Sequence, residues 1–203
     1  LIETEIAAKN IPEAQKLLDQ FIKIPENEGE RLFLQGLIRF AEDKKDEGIQ
    51  LYMDSWTAKP LESVAEQIFA YHQKAGEKAK AEEFLKSWIE TFPNSKTASL
   101  MMAVTAQSKN EVDDALVWYE KSVELNPNMP AALNNLAWLY YERKDPRALE
   151  YAKKAYDMAP NTAPIVDTYG WILVEKGELA KGIELLSKAV QLDPESKEIA
   201  DHL

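Results

Sequence analysis

The sequence predicts an all-α fold, a solenoid of antiparallel helix pairs, and three observations lead to it. Prolines return at intervals of 33, 34, 33 and 34 residues, at Pro60, Pro93, Pro127, Pro160 and Pro194. A small residue stands twelve positions before each proline, at Gly48, Ala81, Ala115, Ala148 and Gly182. Between these columns, apolar residues recur at three- and four-residue steps, the period of a helix. Repeats of this length build solenoids, because each unit buries its apolar face on the next.

Each repeat divides into two predicted helices. In the last complete repeat, residues 163–177 form the first helix, and Gly177 ends it because glycine readily adopts the left-handed conformation found after helix ends. Residues 178–194 form the second helix. Pro194 ends it, since proline lacks an N–H and disfavours helix at the preceding residue. A small residue such as Gly182 lets the two antiparallel helices approach closely.

The chain is predicted to be a single array with partial repeats at both ends. The complete repeats are 29–61, 62–95, 96–129, 130–162 and 163–196. Residues 1–28 are a partial repeat with one second helix, Ile11 to Pro25, and residues 197–203 start a further repeat. The pattern is weaker in 29–61 and in 62–95, where Phe69 and Trp88 occupy places that are usually small. We expect the chain to be a fragment of a longer array.

The repeat 130–162 is one residue shorter than its neighbours. Its turn contains Pro146, which is predicted to lie in the first turn of the second helix, where the missing N–H is harmless. We expect this deletion to tighten the hairpin without a functional role, because loops absorb length changes.

Recurring pairs of large and small residues connect these repeats to a known family. Such pairs are Met102–Ala103, Leu136–Ala137 and Tyr169–Gly170, each followed by the columns of small residues and the proline. Each unit resembles a tetratricopeptide repeat, over nearly the whole chain. The resemblance implies a right-handed α-solenoid, the tetratricopeptide superhelix, in which the first helices line a concave groove. It further implies a non-catalytic scaffold that binds a partner segment in that groove.

Residues 131–196 are also similar to one bacterial branch of such proteins. These are the envelope repeat lipoproteins that accompany the PEP-CTERM/exosortase sorting system, which is linked to exopolysaccharide production. The similarity implies a place in envelope, exopolysaccharide or protein-sorting assembly. It implies a periplasmic location or a lipid anchor carried by an upstream segment, with the cytoplasm left open as an alternative.

The register of the repeats predicts which residues face the groove. The candidate partner-binding residues are Leu100, Val104, Asn134, Asn135, Trp138, Tyr141, Asp167 and Trp171. Trp138 and Trp171 occupy the same place in consecutive repeats, so we expect them side by side. The family resemblance implies that Asn135 hydrogen-bonds a peptide backbone, as an asparagine does at this place in peptide-binding members.

The charge of the chain constrains the partner. The formal net charge is −11, which disfavours nucleic acid, because phosphate binding needs clustered Lys and Arg. Family members that clamp a free carboxylate use basic residues on these walls, and here the corresponding places hold none. A protein or peptide segment that is apolar, aromatic or basic fits better. Self-association through open solenoid ends is a further expectation, and no apolar run reaches the length of a membrane span.

No catalytic constellation is visible in the sequence. There is no cysteine and there are only two histidines, His72 and His202. No metal-ligand spacing, glycine-rich phosphate loop or nucleophile elbow occurs. We therefore predict no enzyme activity, no metal and no cofactor. Two alternatives stay open: a structural spacer, favoured if Trp138 and Trp171 are buried, and a module that stacks polysaccharide on Trp138, Trp171 and Tyr141.

Overall fold

The described residues fold into helices, and short turns join the two helices of each hairpin. A computed structural model describes residues 1–21 and 27–203, with Phe21 described by its backbone alone, so the end of the predicted stretch Ile11–Pro25 lies outside the described residues. The described helices are α1 (Ile2–Ala7), α2 (Ile11–Phe21), α3 (Glu28–Ala41), α4 (Lys45–Ala58), α5 (Glu62–Lys74), α6 (Lys78–Thr91), α7 (Lys96–Ser108), α8 (Val112–Leu125), α9 (Pro130–Glu142), α10 (Ala148–Met158), α11 (Ala163–Glu175), α12 (Leu179–Leu192) and α13 (Lys197–Asp201). No strand occurs in these ranges. The predicted fold class, an all-α solenoid of antiparallel helix pairs, is confirmed.

The helices form two compact units, residues 1–95 and 96–203. In the first unit, buried Ala14, Leu18, Leu34 and Ile38 join α2 to α3. In the second unit, one continuous apolar core runs from α7 to α13, because every hairpin buries a stripe on its neighbour. Burial of these stripes is the main stabilising term in repeat proteins.

Small residues close the hairpins, as their spacing predicts. A Cβ placed on Gly182 would lie 2.6 Å from Cγ2 of Val174 and 2.9 Å from the carbonyl oxygen of Gly170. Ala81 and Ala115 hold the equivalent places of α6 and α8, and both are fully buried. At Gly182 the backbones of α11 and α12 therefore approach more closely than any larger side chain allows.

A residue with a left-handed backbone conformation follows the first helix of each pair. These residues have φ between 56° and 87° and return every 33 or 34 positions, at Lys9, Asp43, Gly76, Asn110, Lys144 and Gly177. The turn after each is closed by a backbone bond such as that from Glu178 N to Leu173 O, at 2.9 Å. This bond spans six residues and satisfies a carbonyl that the helix leaves free. The turn geometry thus repeats even where glycine is replaced.

The hairpin α5/α6 is closed by large rings. Phe69 and Trp88 are both buried, and their ring centroids lie 6.4 Å apart with a tilt of 60°. In the other hairpins small residues at these places let the two backbones come close together, whereas here the two rings fill the space between the helices. Accordingly, α5 and α6 approach each other along less of their length than α11 and α12 do.

The prediction for Pro146 was wrong. The helix α10 begins at Ala148, so Pro146 lies in the turn before it. Arg147 occupies the capping position, and its backbone N–H and guanidinium both donate to Asp145. The carboxylate of Asp145 thus closes the tight turn that precedes α10.

Candidate functional site

Two half-exposed tryptophans mark the groove of the second unit. Trp138 lies on α9 and Trp171 at the equivalent place on α11. Both stack on the imidazole of His202, which follows α13. The ring of His202 lies 4.6 Å from Trp171 at an interplanar angle of 29°, and 6.0 Å from Trp138 at 25°. The two indoles therefore contact one flat side chain, which belongs to the residue after α13.

Asp167 provides the charged group beside these rings. It lies on α11, and its side chain is 8% exposed. Its Oδ2 atom is 2.8 Å from Nδ1 of His202, whereas its Oδ1 atom is buried with no donor among the described residues. Burial raises the pKa of the Asp167 carboxyl, and the contact with His202 opposes that rise. The groove thus holds a carboxylate that is only half satisfied.

Two asparagines of α9 lie next to this carboxylate. The side chain of Asn134 is buried, and its Oδ1 atom has no donor in the part of the chain that the structure describes. Asn135 donates from Nδ2 to the hydroxyl of Tyr119 at 2.8 Å, and that hydroxyl donates to Oε1 of Gln107 at 2.6 Å. These bonds fix the orientation of Asn135, so its amide is presented in a defined direction.

Apart from Trp171, these groups line a cavity of about 270 Å³. Its lining includes Asn134, Asn135, Trp138 and Asp167, four of the predicted groove residues, together with Ile199 and His202 of the last helix. Carboxylates of Asp193 and Glu198 also line it, and no Lys or Arg occurs among its described lining residues. The cavity is consequently suited to a cation or a hydrogen-bond donor.

The other four predicted residues do not line this cavity: Leu100, Val104, Tyr141 and Trp171. Tyr141 is half-buried, with its ring centroid 5.4 Å from that of Trp138. The indole Nε1 of Trp138 donates to Glu142 at 3.0 Å, which fixes the ring. Leu100 packs against the apolar core, and Val104 is 43% exposed. Leu100 and Val104 do not line the cavity, so they stay predictions for a neighbouring part of the wall.

Sequence reasoning missed the role of His202. The sequence suggested only a test for metal-ligand spacing at this residue, whereas the structure places it on both tryptophans and on Asp167. The signal was present in the register, because His202 stands five positions into its repeat, where Asn135 stands in the repeat 130–162. Continuing the predicted groove face into residues 197–203 would have found it.

Two further properties bear on function. Within residues 1–21 and 27–203, no group of three or more His, Asp or Glu residues is arranged to hold a metal ion. None of the helices described in those ranges has the length and apolar character to span a membrane.

Comparison with protein families assigns the repeats. Models described as tetratricopeptide repeat match residues 100–163 and 164–196. Repeats of this family mediate protein–protein interactions. Both matches lie in residues 96–203, the unit that carries Trp138, Trp171 and Asp167.

Individual proteins show the same relationship. The chain is 31% identical over 141 residues to the photosystem I assembly protein Ycf3 of Synechocystis sp., covering 57% of this chain and 79% of the relative. It is 29% identical over 150 residues to Ycf3 of Rippkaea orientalis, covering 66% and 79%. The solved pilF structure of Pseudomonas aeruginosa superposes with a TM-score of 0.75 at 15% identity, covering 99% of this chain and 92% of that one. That last likeness concerns the fold alone.

Proposed function

The chain belongs to the tetratricopeptide repeat family, and we propose that it is a non-catalytic scaffold that binds a segment of a partner protein in the groove of residues 96–203. One observation carries this proposal. Trp138 and Trp171 are half-exposed on consecutive first helices, and together they already hold a side chain that another helix presents to them. A segment of a partner can present a side chain in the same way.

The physical basis of binding is the removal of indole surface from water. Large aromatic side chains bury much apolar area and lose little rotamer freedom, so they often act as anchors of an interface. Trp138 is further held by its bond to Glu142, which lowers the ordering cost of binding. Asp167 and the chain's net charge of −11 favour a basic partner over an acidic one.

The biological setting we propose is assembly work in the bacterial envelope, either in the periplasm or from a lipid anchor. The similarity of residues 131–196 to exopolysaccharide-associated repeat lipoproteins supports the envelope. The relatives named for photosystem I assembly support a role in assembly without indicating which one.

A capture experiment tests the scaffold function. Wild-type chain, the double variant Trp138→Ala/Trp171→Ala and the control Trp118→Ala are immobilised and incubated with a bacterial envelope extract. Trp118 is a half-buried tryptophan of α8 with Lys121 over its ring, outside the cavity lining. Circular dichroism first establishes that all three fold.

Captured proteins are then purified and measured directly. We expect at least one to bind wild type and Trp118→Ala equally, and the double variant about tenfold more weakly or worse. Equal binding to all three would contradict the proposal. Quenching of tryptophan fluorescence by oligosaccharides, with no protein that depends on the two rings, would favour the polysaccharide alternative.

A further inference from the structure

Asp167 is an acceptor that its neighbour does not fully use. Oδ2 contacts His202 Nδ1 at 2.8 Å, and Oδ1 has no donor among the described residues although it is buried. An imidazole carries its two nitrogens on different sides of the ring, so it cannot donate to both carboxylate oxygens. Asn134 lines the same cavity, and its Oδ1 is a second buried acceptor with no donor among the described residues. Leaving such atoms without donors costs free energy, which a better matched group recovers.

The aromatic surfaces next to Asp167 accept a flat group. The plane of His202 is tilted by only 25° and 29° from the two indole planes, so a planar side chain lies roughly parallel to both. Planar cations gain on such faces, because the π-electrons attract positive charge. The lining carboxylates of Asp167, Asp193 and Glu198 reinforce that preference.

We propose that this groove recognises an arginine side chain in a basic segment of the partner protein, and that His202 is the resident group that the arginine replaces. The inference rests on the proposed function and specifies the chemistry of its ligand. A guanidinium is flat, always charged and carries parallel N–H groups that fit both oxygens of one carboxylate. Lysine lacks the plane, and histidine lacks the paired donors.

Replacement of His202 requires little movement. Ile199, in the middle of α13, is 3% exposed within the core and anchors that helix. A rotation about the side-chain bonds of His202 takes the imidazole off the tryptophans while α13 stays packed. The bond to Asp167 and the stacking on two rings set the free energy that an incoming arginine must exceed.

The test uses small probes and the whole chain. The indole N–H signals of the five tryptophans are followed by heteronuclear NMR, with Trp138→Phe and Trp171→Phe assigning the two of interest. The probes are acetyl-arginine amide, acetyl-lysine amide and acetyl-citrulline amide, at up to about 50 mM, because ligands of this size bind weakly. Citrulline keeps the shape of arginine without its charge.

We expect the arginine probe to shift the Trp138 and Trp171 signals, with the lysine and citrulline probes about tenfold weaker. Asp167→Asn should weaken the arginine effect about tenfold, whereas Asp114→Asn, an exposed carboxylate of α8, should leave it unchanged. His202→Ala should strengthen it several-fold, since the resident group is gone.

Three results would overturn the proposal. They are no shift with the arginine probe, equal shifts with lysine, or an arginine effect that His202→Ala abolishes. Asp167→Asn is required to keep the wild-type circular dichroism spectrum. If it does not, the His202→Ala result and the comparison of probes on wild type decide the matter. Partner capture that depends on the tryptophans, together with failure of the arginine probe, would remove this inference and leave the scaffold function standing.

Discussion

The hairpins α5/α6 and α11/α12 carry large aromatic rings at different positions of the same repeat. Inside α5/α6, buried Phe69 packs against buried Trp88. The equivalent places of α11/α12 hold Gly170 and Ala189, and the backbones come close together. A Cβ added to Gly170 would lie 3.0 Å from Cβ of Leu185, which shows how tightly the second hairpin is closed.

The next position along each first helix also differs between the two hairpins. The place after Phe69 holds Ala70, whereas the place after Gly170 holds half-exposed Trp171. The same repeat can therefore be closed either by rings or by small residues. The position of the rings, rather than their number, decides whether a hairpin carries a binding surface, because only rings that reach the groove offer apolar area to a ligand.

Trp88→Ala should produce the largest effect, since it removes the ring that closes α5/α6. Truncating a fully buried tryptophan leaves a cavity, and we expect the free energy of unfolding to fall by about 4 kcal/mol. Urea unfolding followed by circular dichroism measures it. The control Trp118→Ala should cost about 1 kcal/mol or less, because that ring is part exposed. Equal losses for the two variants would show that the Phe69–Trp88 pair does not hold the hairpin.

Gly182→Ala tests the hairpin α11/α12, which is closed by small residues rather than by rings. Helix propensity alone would stabilise α12 by about 1 kcal/mol. The new Cβ, however, would meet the backbone N of Val174 at 2.9 Å, so we expect a net loss of about 2 kcal/mol. In α6, the reciprocal change Ala81→Gly should cost only about 1 kcal/mol. A rise in the urea midpoint of Gly182→Ala would refute the close-approach account.

Gly76→Ala and Gly177→Ala test the left-handed turn that both hairpins have between their two helices. Both glycines have positive φ, of 73° and 87°, and a Cβ added to either would meet no atom within 4 Å. The cost is therefore backbone strain alone, about 1 kcal/mol in each hairpin. Lys144→Gly in the neighbouring repeat should give a gain of up to about 1 kcal/mol, since its φ is 56°. Unequal losses at Gly76 and Gly177, measured by thermal unfolding, would mean that the turns are not equivalent.

Asp167→Asn should give the smallest effect on stability, because burial and the contact with His202 shift the Asp167 pKa in opposite directions. Burial dominates and raises the pKa in the folded state above the usual 3.8. The unfolded chain then loses its proton first as pH rises, so this group lowers stability from about pH 4 upward through its folded pKa. The variant lacks that contribution.

The stability of Asp167→Asn relative to wild type should therefore increase with pH over this window. Urea unfolding between about pH 4 and pH 7 measures the difference. Asp114→Asn, which removes an exposed carboxylate, serves as the reference. A relative stability that stays flat or decreases with pH would contradict the direction given for the Asp167 pKa.

Much of the fold could be predicted because its causes recur locally. The columns at Gly48, Ala81 and Gly182 predict closed hairpins, since any pair of helices needs small residues to approach closely. The groove places of Trp138 and Trp171 follow from the same register. The left-handed turns at Lys9 and Lys144 could not be predicted by residue type, because lysine does not prefer that conformation, whereas Asp43 and Asn110 are residue types that tolerate it.

The amino-acid sequence by itself determined the period of the repeat and the pairing of the helices. It also determined the recurring small residues and the positions of the aromatic residues that face the groove. Only the tertiary structure decided that Phe69 and Trp88 compensate each other, and that His202 fills the space at Trp138, Trp171 and Asp167. The physical reason is distance along the chain. The period of the repeat follows from residues within each unit, whereas His202 meets Asp167 across 35 residues, and that contact exists only once α11 and α13 have packed together.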